Sequence, residues 1–444
     1  MSSPTHSTPA SANEPESVAR TTAPAPARTT APAAPAPARA PRRKLLRAPS
    51  FAALCAVMAL ETIAANMVHP VEPAFYIGLG LPAYVFGVAY AAMALGVFLL
   101  APFWGVLSDR IGRVPVLAAT TFVYGCAQLL FVMSTTVGTI VVARFLAGAF
   151  CSGCMTSAMA YVADTSGPER IGRRMAVYGA VLNLSTALGF LLGGVIGAGD
   201  PRVSFVAQFF VLALAALAGF ALLVEGEAFE RSRERISLRD ANPLAAFVGM
   251  RRLASPWMVA FLAAAFGATM ATEAFTNAFN YYLRDQFAFS TAYNGAIYAV
   301  TGVLGFAANL TIGMRLQRAR HAELPLAVVL AGASVVLLVS LLARSMSVYL
   351  GIIVVFFILN AMFLPLMQAL VVQSDGGNGE LSGLFQSTKA FGGVVGALAA
   401  GFVYAVSPTL PFVLGAVGFA AAAGATTVAL RLARARGRGG RARA

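Results

Sequence analysis

Twelve apolar runs, each about 20 residues long, follow one another between residues 50 and 431. A run of this length crosses the hydrocarbon core of a bilayer as an α-helix. It is too long for a barrel strand, and helices and closed barrels are the only structures that satisfy every backbone polar group inside a membrane. The sequence therefore predicts an all-α integral membrane protein with twelve transmembrane helices. The predicted spans, numbered in chain order, are 50–71, 83–104, 114–134, 138–162, 174–197, 203–224, 256–281, 291–314, 324–343, 347–373, 381–406 and 410–431.

The composition agrees with a membrane protein. Of the 444 residues, 58% are hydrophobic and only 11% are charged, whereas about a quarter are charged in a typical soluble protein. The net charge of +14 suggests nucleic acid in a soluble chain. Here the basic residues cluster in the tails and in alternate loops, which topology explains better. We therefore expect a lipid bilayer around the chain, no nucleic-acid partner, and a monomer.

The lysines and arginines predict the orientation. With the N-terminus in the cytoplasm, 27 of the 32 lie in cytoplasmic tails and loops, and three (Arg202, Arg284 and Arg344) lie in outer loops. Cytoplasmic loops carry an excess of Lys and Arg. The sequence thus predicts a multi-pass protein of the plasma membrane with both termini cytoplasmic.

Charge and composition also divide the chain. The segment before the first span is rich in Ala, Pro and Thr, which is typical of disorder. A cleaved twin-arginine export signal at Arg42-Arg43 is an alternative, but the apolar run behind it is of span length and eleven more follow. The predicted segments are a disordered cytoplasmic tail (1–49), a six-helix bundle (50–224), a cytoplasmic loop (225–255), a second six-helix bundle (256–431) and a basic cytoplasmic tail (432–444).

The two predicted bundles share a weak internal repeat. Residues 83–91 match residues 292–299 with one gap, and the same offset pairs Gly105 with Gly313. Chance similarity among small apolar residues is the alternative. Parallel repeats related by an axis along the membrane normal, with substrate held between them, form one transporter architecture. The repeat therefore predicts that the two six-helix bundles are pseudo-symmetric.

A polar stretch, Gly105-Val-Leu-Ser-Asp-Arg-Ile-Gly-Arg113, joins spans 2 and 3. Its two glycines permit tight turns, Asp109 offers a carboxylate to a neighbouring helix N-terminus, and its arginines suit the cytoplasmic side. We interpret it as a hinge that controls conformation rather than contacting substrate; an ordinary charged loop is the alternative. The predicted gate residues are Gly105, Asp109, Arg110, Gly112 and Arg113.

This stretch resembles the signature loop of the major facilitator superfamily, between its second and third transmembrane helices. Other positions are similar to the twelve-helix drug:proton antiporter branch, including Pro70-Val-Glu-Pro73 in span 1 and the intramembrane Arg144 of span 4. Span 5 differs from the branch, because Phe190 stands where its Gly-Pro-x-x-Gly-Gly motif has proline. The helix-packing motif that the resemblance implies comprises Gly148, Gly189, Gly193 and Gly194.

The resemblance also implies an activity. It favours export of drug-like or secondary-metabolite compounds by alternating access of two rocking bundles. In the family the signature loop locks the cytoplasmic side, which implies that Asp109 sits at the N-terminus of span 11, near Leu381 and Ser382. It also implies that Arg144 faces span 1. The missing proline in span 5 leaves the direction of transport open.

Four ionisable residues fall inside the predicted spans, where a charge is costly and therefore points to function. Glu61 and Glu273 are candidates for proton coupling, because a carboxylate away from water takes up a proton more readily; structural ion pairs are the alternative. Arg144 stays charged, so we expect it to act on a nearby carboxylate, first Glu61, or to anchor spans 1 and 4. Lys389 is expected to bind an anionic substrate or to extend to the inner interface near Asp109.

Polar side chains in spans 1, 7 and 10 predict the wall of a substrate cavity. Thr269, Glu273, Asn277 and Asn280 recur at three or four residues, so they share one face of span 7. A polar face on an apolar helix is expected to line a water-filled path. The predicted cavity residues are Asn66, Asn277, Asn280, Asn360, Gln368 and Lys389.

Other chemistries are not indicated. The chain has no Gly-x-x-x-x-Gly-Lys-Ser/Thr phosphate loop, no nucleophile–base arrangement and no metal-ligand spacing. Cys151 and Cys154 have CxxC spacing, which we assign to helix packing rather than to redox chemistry. We predict neither an enzyme nor a metal or cofactor, and a proton gradient as the energy source. A proton-coupled exporter of small organic compounds is the favoured function; the alternatives are an uptake symporter or uniporter for a sugar or organic acid, and a non-transporting sensor or scaffold.

Overall fold

The computed structural model of the chain describes residues 50–166, 169–225, 255–317, 323–374 and 380–441. In these ranges the chain is helical, without β-strands, and twelve helices are long and apolar enough to cross a membrane. This confirms the predicted all-α class and the number of spans. The segment predicted as a disordered tail (1–49) and almost all of the predicted central loop lie outside the described residues.

The helices are numbered α1 to α12 in chain order. Odd-numbered helices begin at the end of the molecule where α1 begins, here called the proximal end, and even-numbered helices begin at the opposite, distal end. The last helix continues into the segment predicted as a basic tail. Their bounds are α1 Phe51–Gly78, α2 Tyr84–Ile111, α3 Arg113–Val132, α4 Val137–Asp164, α5 Ile171–Ile196, α6 Pro201–Leu222, α7 Pro256–Asp285, α8 Thr291–Leu316, α9 Glu323–Ser340, α10 Met346–Ser374, α11 Glu380–Val406 and α12 Leu410–Arg441.

Local side chains explain where several helices begin and break. Ser50, Ser255 and Ser290 each accept a hydrogen bond from the backbone N–H three residues on, at the starts of α1, α7 and α8. An N-cap serine satisfies one backbone donor that has no partner within the helix. α1 is interrupted between Phe51–Met67 and Glu72–Gly78, beside Pro70, because proline has no N–H to donate.

The stretch Gly105–Arg113 is almost entirely helical, which corrects the prediction of a nine-residue hinge. α2 continues through Ile111, and only Gly112, at φ 114°, separates it from the start of α3. That φ lies in the left-handed region, which glycine adopts without strain. The turn needs only this one residue, and the Leu, Ser, Asp and Arg before it are all compatible with a helix.

The contacts between helices confirm the predicted pseudo-symmetry. In the first half α1 packs on α5 and α6, α2 packs on α4, and α3 packs on α4 and α6. In the second half α7 packs on α11 and α12, α8 packs on α10, and α9 packs on α10 and α12. Each of these contacts of the first half is thus repeated six helices later. The two most extensive contacts between the halves, α2 with α11 and α5 with α8, exchange under the same operation.

Glycines bring neighbouring helices of the first half close together. A Cβ added to Gly193 of α5 would overlap the backbone carbonyl of Met67 in α1, and one added to Gly148 of α4 would overlap that of Met93 in α2. Gly189 also lies close to α1, where an added Cβ would overlap the Ile63 carbonyl. Small residues of this kind let transmembrane helices approach each other closely.

The halves also approach each other at glycines, and these lie near the distal end. Gly87 of α2 faces Gly401 of α11, and Gly194 of α5 faces Gly295 of α8. A Cβ at any of the four would overlap backbone of the other half. The halves are therefore closely packed at the distal end.

Candidate functional site in the central cavity

A two-lobed cavity lies between the halves. The larger lobe has a volume of about 840 Å³ and the smaller one about 390 Å³, and both are lined by Tyr90 and Glu273. The larger lobe lies toward the proximal end, between α2, α4, α7 and α11. Its wall is formed by Tyr90, Met93, Ala94, Val97, Phe98, Ala101, Pro102, Met155, Thr269, Glu273, Gln386, Ser387, Lys389, Ala390, Gly393 and Ala397.

The smaller lobe is richer in hydrogen-bonding groups. It carries five asparagines, together with aromatic rings from α5, α8 and α10. Phe190, which stands where the antiporter motif has proline, packs on the rings of His69 and Tyr298, with centroids 5.9 and 5.1 Å away. The wall of the smaller lobe is formed by His69, Tyr90, Asn183, Phe190, Glu273, Thr276, Asn277, Asn280, Tyr298, Thr301, Gly302, Gly305, Phe306, Asn309, Phe357, Asn360 and Ala361.

The polar face of α7 lines both lobes. Asn277 Nδ2 donates to the backbone carbonyl of Glu273, 2.9 Å away, and to its carboxylate Oε2, 3.2 Å away. This local bond orients the carboxylate, because the two residues lie one helical turn apart. Asn360 Oδ1 of α10 accepts from the Thr272 hydroxyl at 2.9 Å. The structure thus places Glu273, Asn277, Asn280 and Asn360 in the cavity wall; their contact with a substrate remains a prediction.

Lys389 lies in the wall of the larger lobe, one turn before Gly393 of α11. Its Nζ lies 5.9 Å from the ring centroid of Phe385. Among the described residues, no carboxylate oxygen comes within 4.0 Å of that nitrogen. We expected the Lys389 side chain either in the cavity or at the inner interface near Asp109, and the structure places it in the cavity wall.

Two predicted cavity residues do not line either lobe. Asn66 turns toward α5, where its Nδ2 lies 3.5 Å from the Thr186 hydroxyl, and it donates to the Thr62 carbonyl at 2.8 Å. The small residues of α5 draw α1 against that helix, so this face of α1 is used for packing. Gln368 is exposed near the proximal end of α10 and lies outside both walls.

Glu61 is enclosed within the first bundle rather than in the cavity. Its side chain is 2% exposed, and the Thr62 hydroxyl donates to its Oε2 at 3.2 Å. Its Oε1 has no hydrogen-bond partner among the described residues. The structure therefore gives Glu61 an unfilled acceptor in a closed site, with no direct exposure to either lobe.

Arg144 forms an ion pair with Glu72, not with Glu61, which corrects the expected partner. Both side chains are fully buried, and the guanidinium carbon lies 4.1 Å from the Phe131 ring centroid. The reason is depth in the membrane. α4 begins at the distal end, so Arg144 lies two turns from that end, whereas Glu61 lies about 16 Å nearer the proximal end than Glu72 on the 1.5 Å rise per residue of a helix.

Sequence reasoning missed the side chains that connect this ion pair to the cavity. His69 Nδ1 lies 2.7 Å from the Tyr90 hydroxyl and 3.7 Å from Glu72 Oε1. His69 and Tyr90 both line the smaller lobe. Two sequence signals could have pointed to these side chains: Pro70, which interrupts the helix, and the glutamate between Pro70 and Pro73. Both were interpreted only as part of the family motif.

Hydrogen bonds cross between the halves at the distal end. Asn280 Nδ2 of α7 donates to the His69 carbonyl of α1 at 2.6 Å, and Asn294 Nδ2 of α8 donates to the Pro70 carbonyl of α1 at 3.4 Å. The Thr291 hydroxyl donates to the Gly194 carbonyl at 3.0 Å. In the described part of the chain, these bonds and the glycine contacts close the cavity toward the distal end.

At the proximal end, the stretch Gly105–Arg113 is held in place by contacts of Arg113. Its guanidinium forms ion pairs with Asp109 and with Asp164 of α4, the latter at 2.9 Å. The Glu225 carboxylate, beyond α6, accepts from the backbone N–H groups of Arg113 and Val114 at the start of α3. A carboxylate at a helix N-terminus is favourable, but here Glu225 fills that role. The side chains at 381–383, the expected partners of Asp109, lie outside the described residues.

Comparisons with known proteins agree with this architecture. A family model described as Major Facilitator Superfamily matches residues 50–397. The tetracycline resistance protein, class C, of Escherichia coli is 27% identical over 359 residues, which are 78% of this chain and 88% of that protein. Multidrug resistance protein 2 of Bacillus subtilis (strain 168) is 24% identical over 241 residues, 54% of this chain and 59% of that protein.

A solved structure shows the same fold. It is a bacterial homologue of the human lysosomal transporter Spinster in an inward-facing and unoccupied conformation, with a TM-score of 0.69 and 13% identity. The match covers 86% of this chain and 96% of that one. The family model spans most of the chain, and the twelve helices of the chain form two equivalent halves around one cavity. The protein is therefore a membrane transporter that belongs to the major facilitator superfamily.

Proposed function

We propose that this transporter exports small organic compounds in exchange for protons. The observation that carries the proposal is the position of Glu273, an ionisable group at the junction of both cavity lobes, within a large and mostly apolar cavity. The names of the relatives, a tetracycline resistance protein and a multidrug resistance protein, support export of drug-like compounds. We expect a monomer in the plasma membrane.

The distribution of arginines supports placing the proximal end in the cytoplasm, since loops there carry most of the positive charge. The cavity then receives substrate from the cytoplasm while the distal contacts keep the outer side closed. Outward opening requires that the bonds of Asn280, Asn294 and Thr291 to the other half break and that the proximal ends of the bundles come together. Asp109 and Arg113 would take part in that second contact.

Proton exchange at Glu273 would couple this rocking to the gradient. In the state open to the cytoplasm the carboxylate releases its proton and helps to hold substrate; in the outward state a proton from outside replaces the substrate at the same group. Glu61 and Arg144 remain candidates for coupling, but Glu61 is enclosed and Arg144 is already neutralised by Glu72. We therefore assign the coupling first to Glu273.

Transport in liposomes tests both the direction of coupling and the residue. With the full chain reconstituted, an antiporter accumulates tetracycline when the lumen is acidic, because protons leave as the compound enters, whichever way the protein is inserted. We expect Glu273→Gln to reduce this accumulation to the level of protein-free liposomes and Glu273→Asp to retain part of it. An uncoupler is expected to remove the effect in the unmodified protein.

Two results would contradict the proposal. Accumulation only when the outside is acidic indicates proton symport, and so favours uptake of a metabolite. If Glu61→Gln abolishes accumulation while Glu273→Gln preserves it, proton coupling resides in the enclosed carboxylate of the first bundle.

A further inference from the structure

The larger lobe contains two opposite charges that attract each other without forming a close ion pair. Lys389 of α11 and Glu273 of α7 both line it, yet no ion pair within 4.0 Å joins them. Arg144 and Glu72, by contrast, are in direct contact inside the first bundle. Since an unpaired charge inside a membrane protein is costly, two separated charges facing one cavity indicate a ligand that pairs with both.

Lys389 shares the lobe with the polar side chains of Gln386 and Ser387 and lies near the Phe385 ring. The wall that α2 and α4 contribute is apolar and includes Val97, Phe98 and Met155. These apolar side chains accept no strong hydrogen bond, whereas an ammonium group can donate three. This end of the lobe therefore fits an anionic group carried on an apolar body.

Glu273 presents a carboxylate at the other side of the lobe. One oxygen accepts from Asn277, and Gly393 of α11 leaves room beside its side chain, since a Cβ there would be 3.6 Å from Glu273 Cγ. Its remaining acceptor positions face the cavity, where they can receive an ammonium group. Tyr90 lines both lobes together with Glu273.

We propose that the larger lobe binds an amphipathic zwitterion, with its anionic group at Lys389, its ammonium group at Glu273 and its apolar body against α2 and α4. A ligand with only one charge would leave either Lys389 or Glu273 without an opposite charge in direct contact. The lobe's volume of about 840 Å³ lies in the range of about 300–1,000 Å³ for sites that bind drug-sized ligands. The proposal rests on the transport function above and names its substrate class.

Three probes with one biphenyl body test the charge requirement. They are biphenylalanine, a zwitterion, biphenylpropanoate, an anion, and biphenylethylamine, a cation. Their binding to the purified full chain in lipid nanodiscs is measured by isothermal titration calorimetry at neutral pH. We expect the zwitterion to bind about tenfold more tightly than either singly charged probe, as for one additional charge-assisted hydrogen bond.

Two variants assign each charge. Lys389→Met is expected to weaken binding of the zwitterion and of the anion about tenfold, and to leave binding of the cation unchanged or tighter. Glu273→Gln is expected to weaken binding of the zwitterion and of the cation, and to leave binding of the anion unchanged. Glu273→Asp should restore most of the zwitterion's affinity. Arg202→Met, which removes an exposed positive charge outside the cavity, should change none of the three affinities.

Several results would overturn the inference. One is equal affinity for the three probes, and another is no binding of any of them at millimolar concentration. A third is that Lys389→Met and Glu273→Gln each weaken binding of all three probes alike, since that pattern means that the two charges stabilise the fold rather than bind the ligand. Binding in nanodiscs needs no proton gradient, so a failure here is separate from a failure of proton-coupled transport in liposomes.

Discussion

Arg144 and Glu72 neutralise each other inside the amino-terminal bundle. Neither has meaningful contact with solvent, and the guanidinium also lies over the Phe131 ring. Two charges taken out of water together are tolerated when they pair closely, but removal of one leaves the other uncompensated. The pair therefore makes the interrupted distal part of α1 depend on α4.

We expect Glu72→Gln to lower the free energy of unfolding by about 3–5 kcal/mol, because Arg144 is then buried without a counter-ion. Asp109→Asn, which alters an ion pair on an exposed carboxylate, should cost about 0–1 kcal/mol. Unfolding of the purified protein in mixed detergent micelles measures both. A double variant, Glu72→Gln with Arg144→Gln, should recover part of the loss; equal losses for Glu72→Gln and Asp109→Asn would contradict the role of burial.

At the scale of helices, α5 makes two different kinds of contact. One face carries Gly189 and Gly193 against α1, and Gly194 faces α8 of the other half. A further glycine of the same helix, Gly179, has open space where a Cβ would stand. Glycine content alone thus does not identify the packing positions; the neighbouring backbone does.

Valine at two of these glycines should separate packing from helix propensity. Gly193→Val would drive a branched side chain into the Met67 carbonyl, so we expect it to destabilise the protein by at least about 3 kcal/mol. Gly179→Val makes the same chemical change where nothing lies within 4 Å, and should leave the protein near its original stability. Thermal unfolding followed by size-exclusion chromatography compares them. Similar melting temperatures for the two variants would contradict close packing of α1 on α5.

At the scale of the whole molecule, the halves form a closed distal end and a cavity on the proximal side. The distal contacts comprise two glycine pairs, the hydrogen bonds of Asn280, Asn294 and Thr291, and aromatic contacts such as Phe86 on Tyr281. Alternating access requires that these surfaces separate and meet again in each cycle. The strength of these contacts sets the population of the distal-closed state.

Gly295→Val is expected to shift the population toward a distal-open state, because a side chain there overlaps the Phe190 carbonyl of the other half. Gly302→Val, on the same helix, is the control, since a Cβ there lies 3.8 Å from Ala187. Spin labels at the exposed distal residues Arg202 and Arg344, in a background with Cys55→Ser and Cys126→Ser, report the separation of the halves. We expect longer distances for Gly295→Val alone; unchanged distances would show that this contact does not hold the distal end closed.

Local pattern determined much of the protein. Span-length apolar runs specify helices because backbone groups in lipid must be satisfied within the segment, and the spacing of Glu273, Asn277 and Asn280 places them on one face whatever the neighbours are. The internal repeat likewise predicted two equivalent bundles.

Tertiary structure alone decided which side chains meet. Arg144 pairs with Glu72 rather than Glu61, His69 and Tyr90 reach the cavity while Asn66 does not, and Gly105–Arg113 is helix up to one glycine. The physical reason is that partners on different helices depend on depth and rotation. These are set by the packing of all twelve helices together, and no single helix carries that information.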